Sequence, residues 1–166
     1  MNFFLDRLES PIGTILLVTD GEALRALDFL DFEPRMRRLL KLHYGPQPVL
    51  EKPESLGIKR SLLAYFSGDL KILDEITVRT QGTAFQQQVW AELRKIPPNK
   101  TITYGELARR IGRPSASRAV GLANGSNPIA IVVPCHRVIG STGALTGYGG
   151  GIERKRWLLQ HEAAHT

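Results

Sequence analysis

Cysteine is almost absent from this chain: Cys135 is the only one in 166 residues. That excludes an internal disulfide framework. With one thiol and four histidines (His43, His136, His161, His165), the chain is also poor material for a four-ligand structural zinc site. Long apolar runs are missing. No stretch approaches the ~20 residues needed to cross a bilayer. The opening MNFFLDRLES carries Asp6, Arg7 and Glu9 with no apolar h-region, so it does not read as a signal peptide. These absences predict a cytoplasmic protein with no membrane association and no metal. What is present, 42% hydrophobic and 23% charged residues, is a globular mix that excludes disorder as the main state.

Acidic residues are scarce in one half only. Residues 81–166 hold 11 Lys and Arg against 4 Asp and Glu, while residues 1–80 hold 11 against 12. The net charge of +6 therefore comes from the second half. Two readings follow: an acidic partner for that half, most simply nucleic acid, or a basic solvated surface.

In the first half, residues 2–8, 14–19 and 24–29 are short apolar runs separated by Pro11-Ile12-Gly13 and Asp20-Gly21-Glu22, as in hairpins. Pro34 opens a helical period through Met36, Leu39 and Leu40 that Gly45 and Pro46 end, and Ile58, Leu62, Leu63 and Phe66 repeat the pattern. Arg35, Arg37, Arg38 and Lys41 read as a solvated helix face sooner than as a binding patch. A connecting segment over residues 70–82 contains a short strand at 76–78. The spacing predicts a domain over 1–78 and a second over 79–166.

In the second half, Thr83 is placed to cap a helix running to about residue 95, which Pro97 and Pro98 stop, with Trp90 in its core. Thr103 and Glu106 have capping-box spacing, and Leu107, Ala108 and Ile111 continue a short helix. After a turn at Gly112-Arg113-Pro114, Ser115 is placed to cap a second helix through about Asn124. Two short helices about a tight turn in a basic region suggest a helix-turn-helix. The second offers one long cation, Arg118, among Ala116, Ser117, Ala119, Gly121, Ala123, Gly125 and Ser126. Such a surface suits close approach to a minor groove or close packing of helices, and the residues alone leave both open.

An apolar run at 129–133 delivers PCHRVIG at residues 134–140. A lone Cys is commonly an inert small hydrophobe. Here an adjacent His and Arg favour thiolate formation, and a third group is needed to orient the imidazole; Glu153 and Glu162 are the candidates downstream. Residues 140–151 contain six glycines around Tyr148. They do not form a dinucleotide fingerprint and suit backbone lining a pocket for a flat ligand.

PCHRVIG, with Phe85, Gln86, Trp90, Ile96, Pro97, Tyr104, Gly105, the RAVG run at 118–121, Asn127, Pro128, Gly147, Tyr148, the Trp157-Leu158-Leu159 run, His161 and Glu162 in register, closely resembles the O6-alkylguanine-DNA alkyltransferases. The likeness is strong over residues 83–162 and one of layout only before them. It implies an α/β protein whose N-terminal ribonuclease-H-like domain holds a small antiparallel sheet. The C-terminal domain would be mainly helical, with a helix-turn-helix and an active-site Cys loop. It implies a monomer that binds double-stranded DNA, extrudes O6-alkylguanine (and O4-alkylthymine) through the minor groove and moves the alkyl group irreversibly to Cys135, without cofactor.

By the same resemblance, His136 takes the thiol proton through a water and Glu162 holds the imidazole. Tyr104 assists nucleotide rotation and protonates the leaving guanine. Arg118 fills the gap in the stack, with Ser117, Ala119, Tyr104 and Asn124 also at the DNA. Asn127 braces the turn before the Cys segment, and Val138, Tyr148, Gly149 and Gly150 line the pocket. Three departures stand out: Asn99 where Gly is frequent, Ala130 where many members have Pro, which would open the pocket, and Gly149 where some have Ser. Rival readings are a non-catalytic lesion sensor, which the thiol disfavours, a Cys–His hydrolase, which has no need of Arg118, and a sequence-specific repressor, which the small-residue helix disfavours.

Overall fold

The computed structural model describes residues 1–53 and 57–166. The chain divides into two compact units: Met1–Gln81 with Pro128–Val132, and Gly82–Asn127 with Val133–Thr166. Among the described residues no helix is long and apolar enough to cross a membrane.

The first unit is built on β1 (Phe3–Ser10), β2 (Gly13–Thr19) and β3 (Leu24–Phe29), the three apolar runs whose intervening turns predict hairpins. A fourth strand, β4 (Val49–Glu51), completes the order β3-β2-β1-β4. The expected antiparallel sheet is thus corrected to a mixed one. β1–β2 and β2–β3 are antiparallel, but β4 runs parallel to β1, pairing Phe3 with Val49 and Leu5 with Glu51. The reason is topological: a helix, α1 (Glu33–Tyr44), intervenes before β4 and carries the chain back to the same end of the sheet. Met36 and Leu40 of α1 pack on Phe3, Leu5, Leu16, Val18 and Ala26. A second helix, α2 (Ile58–Phe66), and a 3-10 segment, Leu70–Glu75, follow.

β3 is buried at every position, charged residues included. Each charge is paired: Arg25 with Asp20 at 2.7 Å, and Asp28 with Arg35 at 2.6 Å. Of the Arg35–Lys41 cluster, Arg35 is therefore partly structural. The outer edge of β3 is covered by two short bridges, Leu24 with Val78 and Leu27 with Ile129. The strand expected at 76–78 is reduced to the first of these. The second draws residues 128–132 into this unit, although the sequence division assigned them to the other domain. Ala130 N–H donates to Leu27 O at 3.1 Å, a bond that a proline at this position could not make.

In the second unit, Thr83 caps α3 (Ala84–Leu93) through a full capping box with Gln86. Gly82 precedes it with φ +122, and a Cβ there would lie 2.7 Å from Gln86 Oε1 and 3.0 Å from the Trp90 ring, so only glycine fits. Helix geometry ends at Leu93, short of the expected residue 95, because Lys95 and Ile96 tighten to bonds with Glu92 and Leu93. Trp90 is buried and donates from Nε1 to Ala123 O at 2.8 Å. That bond ties α3 to α5 (Ser117–Gly125), which packs on α4 (Tyr104–Arg110).

Two capping expectations are corrected. Thr103 does cap α4, but Glu106 spends its carboxylate on Arg109 and Arg110 rather than reaching back. α5 starts two residues after Ser115, with Ala116 as an uncapped N-terminus. The pair β5 (Ile102–Thr103) and β6 (Val138–Ile139) is parallel, and α6 (Ile152–Ala164) closes the chain.

Candidate active site

Two three-residue turns deliver the thiol. Val132 N–H bonds Ala130 O at 2.8 Å around Ile131, whose φ of 69 is strained for a β-branched residue. Cys135 N–H then bonds Val133 O at 2.8 Å around Pro134, whose φ of -83 and ψ of 65 make an inverse γ-turn. A single 3-10 turn, Cys135–Arg137, follows, and all three of its residues are buried. Asn127 Nδ2 donates to Val133 O at 2.8 Å, so the turn that follows α5 braces this approach.

His136 and Glu162 come together as the resemblance implies. Nε2 of the fully buried imidazole lies 2.8 Å from Glu162 Oε2 on the inner face of α6. With the carboxylate ionised, Nε2 carries the proton and donates it, so Nδ1 keeps a bare lone pair. That Nδ1 is buried and has no hydrogen-bond partner among the described residues. Glu153, the other sequence candidate, is exposed and pairs with Arg156.

Arg137 has a role that sequence reading missed. Taken there only as a positive neighbour of the thiol, it is 4% exposed. It forks onto Glu162, with Nε to Oε1 at 2.8 Å and Nη2 to Oε2 at 2.9 Å, while Nη1 donates to Ile96 O at 2.6 Å. Asn99, at φ 62, adds its N–H to Glu162 Oε1 at 3.4 Å. The Asn-for-Gly departure therefore preserves a left-handed turn that also serves the carboxylate.

Lys155 was also missed, hidden in the run Arg154-Lys155-Arg156. It is fully buried, and its Nζ donates to Val138 O and Thr146 O, both at 2.7 Å. The available signal was helical spacing: Lys155, Leu158 and Glu162 share one face of α6, and all are buried. Burial lowers its pKa, and negative charge on Cys135 opposes that shift. The Lys155 ammonium, held against two carbonyls, thus lies within electrostatic reach of Cys135.

Tyr104 is half-buried at the start of α4. Its ring lies over Gly121 of α5, and its hydroxyl donates to Thr146 O at 3.4 Å, the carbonyl that Lys155 also uses. Arg118, Ser117 and Ala119 are exposed on α5. Arg118 makes no hydrogen bond or ion pair among the described residues, whereas Arg109 and Arg110 are engaged with Glu106. Asn124 corrects the expected DNA surface. It is 3% exposed and turns inward, with Nδ2 to Cys135 O at 3.4 Å, because it shares the buried face of α5 with Val120 and Ala123. Of the expected pocket residues, Val138 is buried in β6 with its carbonyl on Lys155, while Tyr148, Gly149 and Gly150 lie in the turn before α6.

The network has a pH signature. Burial, opposed by the Glu162 charge, holds His136 below its ordinary 6.5. Burial also works against ionisation of Glu162, but the bonds and charges of His136 and Arg137 outweigh it and keep the carboxyl well below its ordinary 4.5. Both groups bind fewer protons folded than unfolded. Their stabilisation is complete above about 6.5, declines first as unfolded His136 protonates, and declines again below about 4.5 as unfolded Glu162 does. Denaturant midpoints at neutral pH, about pH 5.5 and about pH 4 should fall in that order. A midpoint that stays level on acidification would contradict the assigned charges.

Comparison with known proteins agrees with this geometry. The family described as "6-O-methylguanine DNA methyltransferase, DNA binding domain" matches residues 84–164. A methylated-DNA–protein-cysteine methyltransferase of Shigella flexneri is 46% identical over 160 residues, 95% of this chain and 94% of that protein. One from Mycobacterium bovis is 49% identical over 157 residues, 93% of this chain and 89% of that protein. The crystal structure of Mycobacterium tuberculosis OGT in complex with DNA superposes with a TM-score of 0.84 at 42% identity, covering 100% of this chain and 95% of that one. With a buried imidazole–carboxylate pair directly after a buried thiol in the chain and its length matched almost throughout, this chain belongs to the methylated-DNA–protein-cysteine methyltransferases.

Proposed function

We propose that this protein repairs O6-alkylguanine in double-stranded DNA, and O4-alkylthymine by the same chemistry, by taking the alkyl group onto Cys135 in a single irreversible turnover. It does so as a cytoplasmic monomer with no cofactor or metal. Residues 1–78 form a ribonuclease-H-like domain in this reading, and residues 79–166 form the DNA-binding and transfer domain, with α4 and α5 acting as a helix-turn-helix. The observation that carries the reading is His136: a neutral imidazole, fixed at Nε2 by Glu162, whose buried Nδ1 lone pair has no partner among the described residues, next in sequence to the only thiol. A buried acceptor left unmatched is costly unless it has work to do.

The alkyl group on guanine O6 is hidden within the stacked duplex, so the nucleotide must be extruded, at a cost of a few kcal/mol. The small-residue face of α5 approaches the minor groove and Arg118 occupies the vacated stack, offsetting that cost. The Cys135 proton passes through a water to His136 Nδ1, while the Lys155 ammonium favours the thiolate. Sγ attacks the alkyl carbon, the carbon–O6 bond breaks, and its electron pair stays with the guanine. Tyr104 supplies the proton that completes neutral guanine. Asn127 holds the Cys segment, and Tyr148, Gly149 and Gly150 wall the base pocket. The thioether has no bond that water cleaves readily, so each chain acts once.

Intact-mass measurement after mixing with duplex containing O6-methylguanine tests this directly. One added methyl per chain is expected; lesion binding with no mass gain would indicate a sensor instead.

Arg118 supplies a second test. Arg118→Ala should slow transfer from duplex by a factor corresponding to about 1–3 kcal/mol, the worth of a base-stacking contact. The loss should be smaller on single strands and near zero on free O6-alkylguanine base, which needs no extrusion. Equal losses on all three substrates would make Arg118 a residue of the fold.

A further inference from the structure

The exposed face of α5 is not wholly small. Leu122 is 76% exposed, more than any other large apolar side chain among the described residues. It lies one helical turn beyond Arg118, and positions four apart share a helix face. Ala119 and Gly125 are exposed near it, while Val120, Ala123 and Asn124 point inward. A single exposed leucine is ordinary on a protein surface. This one shares its face with an arginine that makes no hydrogen bond or ion pair among the described residues, in the half of the chain that carries 11 cations against 4 acids. Its isobutyl group adds nothing to the core and costs solvent-exposed apolar area.

We infer that Leu122 is a second minor-groove probe, an apolar wedge that packs against deoxyribose edges and the base step beside the gap filled by Arg118. The inference rests on the function proposed above and deepens it. The minor groove is about 6 Å wide and admits a branched aliphatic group, and apolar wedges are a recurrent means of unstacking base steps from that side. Side chains one helical turn apart start about 5–6 Å from each other, against a rise of about 3.4 Å per step, so the two reach neighbouring steps. They divide the work by chemistry. The guanidinium adds charge attraction, which salt weakens. The leucine adds burial that neutralises no phosphate and leaves the salt slope unchanged.

Leu122→Ala tests this in the full-length protein. An exposed Leu-to-Ala change on a helix is well tolerated, so melting should match wild type. Transfer from duplex O6-methylguanine is expected to slow about tenfold, or about 1.4 kcal/mol. The dependence of duplex affinity on salt should be unaltered, reaction with free O6-alkylguanine base unchanged, and Leu122→Met should recover most of the duplex rate. A duplex rate equal to or above wild type overturns the inference, as does a matching loss on the free base. If wild type gains no methyl from duplex, the proposed function falls and this inference with it; if wild type reacts and Leu122→Ala reacts equally well, the inference alone falls.

Discussion

Cys135→Ala and Cys135→Ser are expected to gain no mass from duplex O6-methylguanine while still binding it. Alanine has no nucleophile. Serine keeps a comparable shape, but a hydroxyl is almost wholly protonated at neutral pH, and nothing at this site is arranged to ionise it as readily as a thiol. The surroundings survive either change. Pro134 still sets its turn, Asn127 still holds Val133 O, and Lys155 keeps both its carbonyl partners. Cys135 is 7% exposed and loses or exchanges a single atom, so the stability change should be about 1 kcal/mol or less. In the proposed function, binding depends on α5 and on groups around the pocket, not on the sulfur. Intact mass, lesion affinity and a melting curve measured together check all three expectations. Repair by the serine variant at a rate near wild type would remove Cys135 from the reaction and the proposed function with it.

How far the site could be read from the sequence followed how local its causes are. Thr83 is placed as a cap by its position before a helical run, and the structure contains that cap, with Gln86 completing a capping box. The three meander strands are short apolar runs that carry their own turns, and they form close to where expected. β4 and the β5–β6 pair are two or three residues long and owe their existence to partners far along the chain, so no local pattern announces them. Ser115 looks like a cap by composition, yet the helix begins two residues later because a cap depends on where the backbone turns in. Within the site, Cys135 and His136 were legible as neighbours. Choosing Glu162 over Glu153 needed the family register, since both are carboxylates on the same helix. Arg137 is legible only as a positive neighbour of the thiol and Lys155 only as one of a basic run, because basic residues are rarely buried. Each is buried only with a full set of acceptors, Glu162 and Ile96 O for one and two carbonyls for the other, and those acceptors converge only in the folded chain. Asn124 failed in the opposite sense: polarity suggested a surface, and the helix phase turned it inward.

Glu162→Gln should damage stability and chemistry together, because one carboxylate serves two buried partners. Wild-type Glu162 receives the forked bonds of Arg137 and the Nε2–H of His136. Glutamine has one carbonyl oxygen in place of two, no charge, and an amide that donates. Whichever way it turns, an N–H faces either the guanidinium or the imidazole. The Arg137 cation, 4% exposed, is then left without its counter-charge. Breaking a buried pair in this way costs about 3–5 kcal/mol.

For the imidazole, an amide N–H directed at Nε2 favours the tautomer with its proton on Nδ1, which removes the lone pair that accepts the thiol proton. General-base assistance is worth about 10²–10⁴-fold, so transfer to the remaining folded protein should slow by about 10² or more. That loss should be the same on duplex and on free O6-alkylguanine base, which separates it from the extrusion defect expected of Arg118→Ala. The acid limb of stability should also flatten below about pH 4.5, since the carboxylate responsible for it is gone. Glu162→Asp, which keeps the charge with a shorter reach, should fall between wild type and glutamine in both stability and rate. Second-order transfer rates on the two substrates, with denaturant midpoints at neutral and acidic pH, measure each of these. A glutamine variant that reacts normally with the free base and loses only DNA binding would show that Glu162 does not position His136, and the thiol would then need another route for its proton.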